Sequence, residues 1–241
     1  MAEITAPRET AARIAGWIVG SRFGPGDTLP IEAAIGQELS VSRTAVREAM
    51  KSLTAKGIVL TGPRVGSRVR PMSDWNLFDP DVLAWRVAAG VDDAFVRDLL
   101  ELRLAIEPMA ARLAAVEADE GDLAAIRDGY AAMAEAVAGR GNYLSADLSF
   151  HQAVLRATHN QFVAAMVPAF SALLRVSFQL SVKSRASAAA SLPAHKRLHD
   201  AIARHNPRAA ELANAKIIAM ARADIVADIG TEDEPLRGRR R

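Results

Sequence analysis

The chain has 241 residues, half of them apolar, a formal net charge of +2 and no cysteine. That length suffices for one large domain or two smaller ones, and the missing cysteines exclude disulfides, thiolate metal sites and cysteine nucleophiles. No apolar run approaches the ~18 to 20 residues of a membrane span, and the N-terminus MAEITAPRET lacks a signal-peptide pattern, so a cytoplasmic protein with no membrane partner is expected.

The charge is uneven along the chain. Residues 1–70 hold 10 Lys and Arg against 6 Asp and Glu, a net of +4, whereas residues 71–230 hold 16 against 19, a net of −3. A basic amino-terminal third on a slightly acidic body predicts a polyanion-binding module joined to a part with another task. Pro7 suits the first turn of a helix that reaches about Val19. FGPGDTLP interrupts it, and a short helix is expected around Glu32 to Leu39. Ser40 to Ser42 then connects tightly into VSRTAVREAMKSLTAKG, where Val46, Ala49, Met50 and Leu53 form an apolar stripe. Arg43, Arg47 and Lys51 follow one another at four-residue steps and make a basic band beside that stripe.

Beyond Gly57, IVLT and SRVRP, separated by GPRVG, read as a two-stranded hairpin. Three helices and a hairpin make a winged helix-turn-helix over residues 1–70. A basic band on an arbitrary helix is a solvated face. Here the turn before it, the hairpin bearing Arg64, Arg68 and Arg70 after it, and the local charge point to a recognition helix for the DNA major groove.

Residues 71–91 read as a linker, yet Trp75, Leu77, Phe78, Leu83 and Trp85 are too apolar for a free one and predict that it pins two modules together. From Asp92 to about residue 230 the pattern is helical. Phe95, Leu99, Leu102, Ile106, Met109 and Leu113 alternate steps of four and three, and Pro108 predicts a kink. Further helices are expected over Glu120–Val137, Tyr143–Thr158, Phe162–Val182, Ala188–His205 and Pro207–Ile229. The fold class is therefore mainly α: a winged helix-turn-helix with a two-stranded wing, then an all-α bundle of six helices. Residues 231–241, TEDEPLRGRRR, are polar enough to be disordered.

Asp147 and His151 stand at i, i+4, which puts a carboxylate and an imidazole on one helical face, and His195 and His199 repeat the spacing. Such pairs also arise by chance, and a lone histidine is commonly a satisfied surface or core residue. The same geometry can hold a metal-activated water, which keeps hydrolysis among the alternatives.

The residues LP-x-E-x6-L-x-VSRTAVREAM-x-x-L-x-x-KG, followed by a G-x-x-x-G wing, resemble the GntR family of bacterial transcription regulators over about residues 7–70. The resemblance implies that Arg43 and Arg47 approach bases and phosphates, that Thr44 contacts phosphate, and that the wing tip from Gly62 to Gly66 enters the minor groove. Lys51, Arg64 and Gly66 complete the expected DNA-binding set. Many members carry Arg after the Glu of the short helix, where this chain has Ala33, implying an altered operator or weaker binding.

ELRLAIEP-x-AARLAA, then D-x-x-x-H, then H-x-x-x-H-x-AI resemble the ligand-sensing FCD domain over about residues 90–229. That resemblance implies a divalent metal, zinc or nickel, on Asp147, His151 and His195, with a small carboxylate effector completing its coordination. A fourth family ligand, a histidine, falls at Ile217. The metal is then held by three protein ligands plus effector or water, or weakly, or is absent. Arg103 matches an Arg of the first sensing helix and either pairs with the effector carboxylate or with Glu107 at i+4. Ser191 either meets an effector hydroxyl or caps a helix, and Asn214, three positions before Ile217, stands in part for the missing ligand. His199 reads as a polar surface or supporting residue, and His159 as a helix-end residue. The linker and the absent fourth histidine are most similar to the branch of galactonate-operon repressors, implying a sugar acid as effector.

Together these features imply an effector-responsive regulator, not an enzyme, that binds a palindromic DNA operator as a homodimer and represses by family habit. Two rivals stand beside it: a metal-dependent hydrolase using Asp147, His151 and His195, and an architectural protein that binds DNA without sequence preference.

Overall fold

A computed structural model describes residues 6–62, 66–181 and 185–232. The chain divides into two compact units, Met1–Val91 and Asp92–Arg241. The first holds α1 (Ala6–Val19), α2 (Glu32–Leu39), α3 (Arg43–Ala55), the antiparallel pair β1 (Val59–Gly62) and β2 (Gly66–Val69), and α4 (Pro80–Ala88). Its core gathers Ile14 from α1, Ile35 from α2, Val46 and Leu53 from α3, and Ile58 and Val69 beside the hairpin.

The turn into α3 is built from local chemistry. Ser40 takes the left-handed conformation at φ 54°, and Ser42 caps α3 by accepting a hydrogen bond from the Ala45 amide at 3.1 Å. At the far end, Gly57 holds φ +76°, where a Cβ would stand 2.2 Å from the carbonyl oxygen of Asp74. No other residue fits that turn from α3 into the wing. The hairpin has the expected register, Val59 opposite Val69 and Gly62 opposite Gly66. Residues 26–29 extend it: Leu29 donates to the Ser67 carbonyl at 2.8 Å, and Thr28 forms a bridge with Arg68.

The segment read as a linker carries α4, which Asp79 caps and Pro80 opens. Val82 enters the core of the first unit, with Trp75 and Trp85 packed against it. An ion-pair cluster adds to this. Lys56, at the C-cap of α3, reaches Asp79 at 2.7 Å and Asp81 at 3.1 Å, and Arg8 reaches Asp81 at 2.8 Å.

The second unit consists of α5 (Asp93–Glu117), α6 (Glu120–Val137), α7 (Tyr143–Arg156), α8 (Gln161–Ser181), α9 (Arg185–Ala203) and α10 (Pro207–Glu232). Asp92, Asp119 and Asn142 cap α5, α6 and α7, and α5 runs through Pro108. The core is rich in alanine, with Ala111, Ala114, Ala194 and Ala210 packed around Phe150, Leu198 and Ile202. Small side chains let helices approach closely. At Gly129 of α6 a Cβ would lie 2.9 Å from the Phe150 Cα, so glycine seats α7 beside its neighbour.

Two expectations need correction. Of the expected stripe Leu99 is buried, but Phe95, Leu102, Ile106, Met109 and Leu113 are only half-buried; the buried face of α5 carries Val96, Leu99, Leu100, Arg103, Glu107, Ala110, Ala111 and Ala114. Large apolar side chains marked the flank, because the true interior uses alanine for close packing and polar residues for a site. Contrary to the sequence reading, α8 is long and apolar enough to cross a membrane, although half of that stretch is buried in the unit, as in a core helix. Arg64 and residues 233–241 lie outside the described residues.

Candidate functional site

On α3 the apolar stripe turns inward, and Arg43, Thr44, Arg47 and Lys51 are exposed. Arg43 and Arg47 have no ion-pair or hydrogen-bond partner among the described residues. Lys51 pairs with Glu48 at 2.8 Å. Gly66, at the wing, holds φ +67°, and Arg68 is exposed with its guanidinium 3.4 Å from the Gly26 carbonyl oxygen. Arg70 is engaged by Asp74 at 2.9 Å. The first unit therefore presents free guanidinium groups on one helix and a basic wing beside it.

In the second unit, α7 and α9 bring Asp147, His151 and His195 together. Asp147 Oδ1 lies 3.4 Å from His151 Nε2 and 3.2 Å from His195 Nε2, and the two Nε2 atoms are 3.4 Å apart. All three side chains are buried. The other face of each imidazole is already engaged. His151 Nδ1 sits 2.9 Å from Glu107 Oε2, and His195 Nδ1 donates to the Ser191 carbonyl at 3.0 Å. Those contacts place protons on Nδ1 and aim both Nε2 atoms at the shared point, the arrangement of metal-ligating histidines.

The donor set fits a divalent metal. Asp147 Oδ1 is buried with no hydrogen-bond partner among the described residues. Ligands about 2.0–2.1 Å from a tetrahedral ion stand roughly 3.4 Å apart, the spacing seen between these three atoms. Ile217, where the sequence resemblance put a fourth ligand, is buried and contributes only an aliphatic wall.

Arg103 extends the site. Its side chain is 0% exposed, with Nε 2.6 Å from Glu107 Oε1, Nη1 donating to Ser177 Oγ, and the guanidinium 5.2 Å from the Phe178 ring. Of the two alternatives for Arg103, the Glu107 bridge is present, and Arg103 also lines a cavity with Asp147 and His195. Burial works against ionised Glu107, but Arg103 and then His151 outweigh it and hold the carboxyl at about 2. Burial likewise opposes the imidazolium of His151, yet Glu107 and Asp147 raise it to about 9. Asp147, despite its burial, is held well below the usual carboxylate range by His195 and His151.

Ser191 lies within α9 rather than at its start, because the helix already begins at Arg185; the N-cap alternative is overturned. Its hydroxyl donates to the Ala188 carbonyl at 3.0 Å, so Tyr143 is the donor in the Tyr143–Ser191 hydrogen bond. Asn214 is 1% exposed, both its side-chain polar atoms lack a hydrogen-bond partner among the described residues, and it lies outside the cavity lining. His199 is partly buried, stacked on Tyr130 and 2.9 Å from Asp200, while His159 sits at the end of α7 against Asp122. Sequence reasoning missed the support that Glu107 gives His151, and the cavity residues Ser181 and Asp224. Only the i+4 spacing of Arg103 and Glu107 signalled the first.

Residues 7–69 match the family described as bacterial regulatory proteins, gntR family, and residues 98–220 match the FCD domain. The galactonate operon transcriptional repressor of Escherichia coli K12 is 34% identical over 203 residues, 84% of this chain and 89% of that protein. This chain belongs to the gntR family of bacterial regulatory proteins. The HTH-type transcriptional regulator LutR of Bacillus subtilis is 30% identical over 201 residues, 81% of this chain and 90% of its own. A solved structure of Lar, which controls expression of the Listeria monocytogenes agr system, matches with a TM-score of 0.66 at 18% identity, covering 92% of this chain and 97% of that one. The chain is thus a DNA-binding transcription regulator with an FCD domain, and its relatives are regulators, not enzymes.

Proposed function

We propose that this gntR-family protein is a cytoplasmic, effector-responsive repressor of an operon for breakdown of a sugar acid or another small carboxylate, acting as a homodimer on a palindromic operator. The observation that carries the proposal is the buried cluster of Asp147, His151 and His195 in the FCD unit, of which Asp147 and His195 line one cavity with Arg103. Its similarity to the galactonate operon repressor supports a sugar acid as the effector. Arg43, Thr44, Arg47 and Lys51, with the wing at Arg64 and Gly66, are assigned to the operator. A two-fold symmetric dimer would require a symmetric site.

Asp147, His151 and His195 would hold a divalent ion, zinc or nickel. When bound, that ion supplies positive charge and open coordination positions for an anionic ligand. Arg103, already fixed by Glu107 and Ser177, orients the effector carboxylate, and Ser191 faces its hydroxyl groups. Asn214 supports the same interior from α10. The cavity encloses about 30 Å³, room for one or two water molecules. A sugar acid needs more, so binding has to part the surrounding helices. That requirement links occupancy to a change of arrangement, and a few kcal/mol of differential affinity shifts operator occupancy.

The proposal is tested by selecting an operator from random duplexes with full-length protein, then titrating sugar acids and small carboxylates into the complex. Release by one of them, lost in Asp147→Ala, is the expected result. Binding indifferent to sequence with a steep salt slope would favour an architectural role instead.

A further inference from the structure

The FCD cavity carries information about the ligand beyond its carboxylate, resting on the proposal that this cavity is the effector site. Arg103, Asp147 and His195 line it together with the stretch of α10 from Ile217 to Asp224. Seven residues at the helical rise place these two positions about 10 Å apart along the axis, roughly the reach of a six-carbon acid with a hydrogen bond at each end.

The same lining offers acceptors. Ser181 gives its hydroxyl proton to the Ser177 carbonyl at 3.0 Å, and Ser191 gives its own to the Ala188 carbonyl at 3.0 Å. Ser191 also accepts from Tyr143, and with both hydroxyl protons given away, what either oxygen has left for the cavity is a lone pair. Asp224 is exposed, lines the same cavity, and has no ion-pair or hydrogen-bond partner among the described residues. A carboxylate accepts only. A ligand tail must consequently donate, as alcohols do, whereas a second carboxylate would meet lone pairs and a like charge.

We infer that the effector is a polyhydroxylated monocarboxylate, and that Asp224 is the residue that rejects the corresponding dicarboxylate. The carboxylate lies toward Arg103 and the terminal hydroxyl donates to Asp224.

Aldonates and their aldarates, such as D-galactonate with galactarate and D-gluconate with D-glucarate, differ only at C6 and isolate this choice. Isothermal titration and thermal shift on full-length wild-type protein and Asp224→Asn provide the readout. The wild type should prefer an aldonate at least tenfold over its aldarate. Asp224→Asn should narrow that preference at least fivefold through a gain for the aldarate, with the unliganded melting temperature unchanged at this exposed position. Aldonate binding with an unaltered preference in Asp224→Asn, or equal binding of both acids by the wild type, would overturn the inference while leaving the effector site standing. Stabilisation only by non-hydroxylated acids such as propionate or succinate would also overturn the inference alone. No response to any acid in the panel would overturn both.

Discussion

The two units handle charge in opposite ways. On α3, Arg43 and Arg47 stand in solvent with no partner among the described residues. In the FCD unit Arg103, Glu107, His151 and Asp147 are sealed from water and balance one another over contacts of 2.6 to 3.4 Å. A surface that reads a polyanion can leave cations free, since water solvates them and DNA binding gains from counterion release. A buried site must carry its own countercharges, because an unpaired ion there costs several kcal/mol. Functional charge is thus recognised on α3 by the absence of partners. In the cavity it is recognised by a chain of partners that ends at an unsatisfied atom, Asp147 Oδ1.

The sharpest break in this comparison comes from truncating one charge on each side. Glu107→Ala strips countercharge from Arg103 and His151 and should cost about 3–5 kcal/mol in chemical denaturation, whereas Arg47→Ala should stay within about 0.5 kcal/mol of wild type. Similar losses for the two would mean that the buried cluster is not what holds the unit. The surface side shows its effect in binding: Arg43→Ala or Arg47→Ala should weaken specific operator affinity by about 1–3 kcal/mol, roughly five- to 150-fold, in fluorescence anisotropy. Unchanged affinity would remove α3 from the interface.

A third effect separates proton from metal. With His151 raised to about 9, its Nε2 proton is bound at neutral pH and must leave before a metal binds there. Apparent zinc affinity should therefore rise with pH by up to about tenfold per unit, ~1.4 kcal/mol, and level off near pH 9. A flat profile between pH 6 and 8 would show that His151 is not displaced. The smallest effect belongs to Lys51→Ala, which should lower the salt slope of DNA binding by at most about one, because Lys51 is already shared with Glu48.

Much of this architecture was legible in the residues, and the lapses have physical causes. VSRTAVREAM announced α3 because its apolar stripe and basic band lie on separate faces, and Ser42 supplies the cap. FDPDVLAW hid α4: Trp85 and the nearby Trp75 suggested a docked linker, although Asp79 and Pro80 are a helix-start signature. The face of α5 was misplaced since hydrophobicity follows large side chains, while alanine and a neutralised Arg–Glu pair fill the interior. Asp147, His151 and His195 were legible by spacing and resemblance. Glu107 behind His151, and Asp224 in the cavity lining, depend on tertiary packing that no local pattern encodes.

The most direct test of the account is operator binding by His151→Ala beside wild type, with and without the acid that stabilises the wild-type protein. The account predicts wild-type operator affinity in the absence of the acid and no release in its presence. Release of the variant at the same acid concentration as wild type would contradict it.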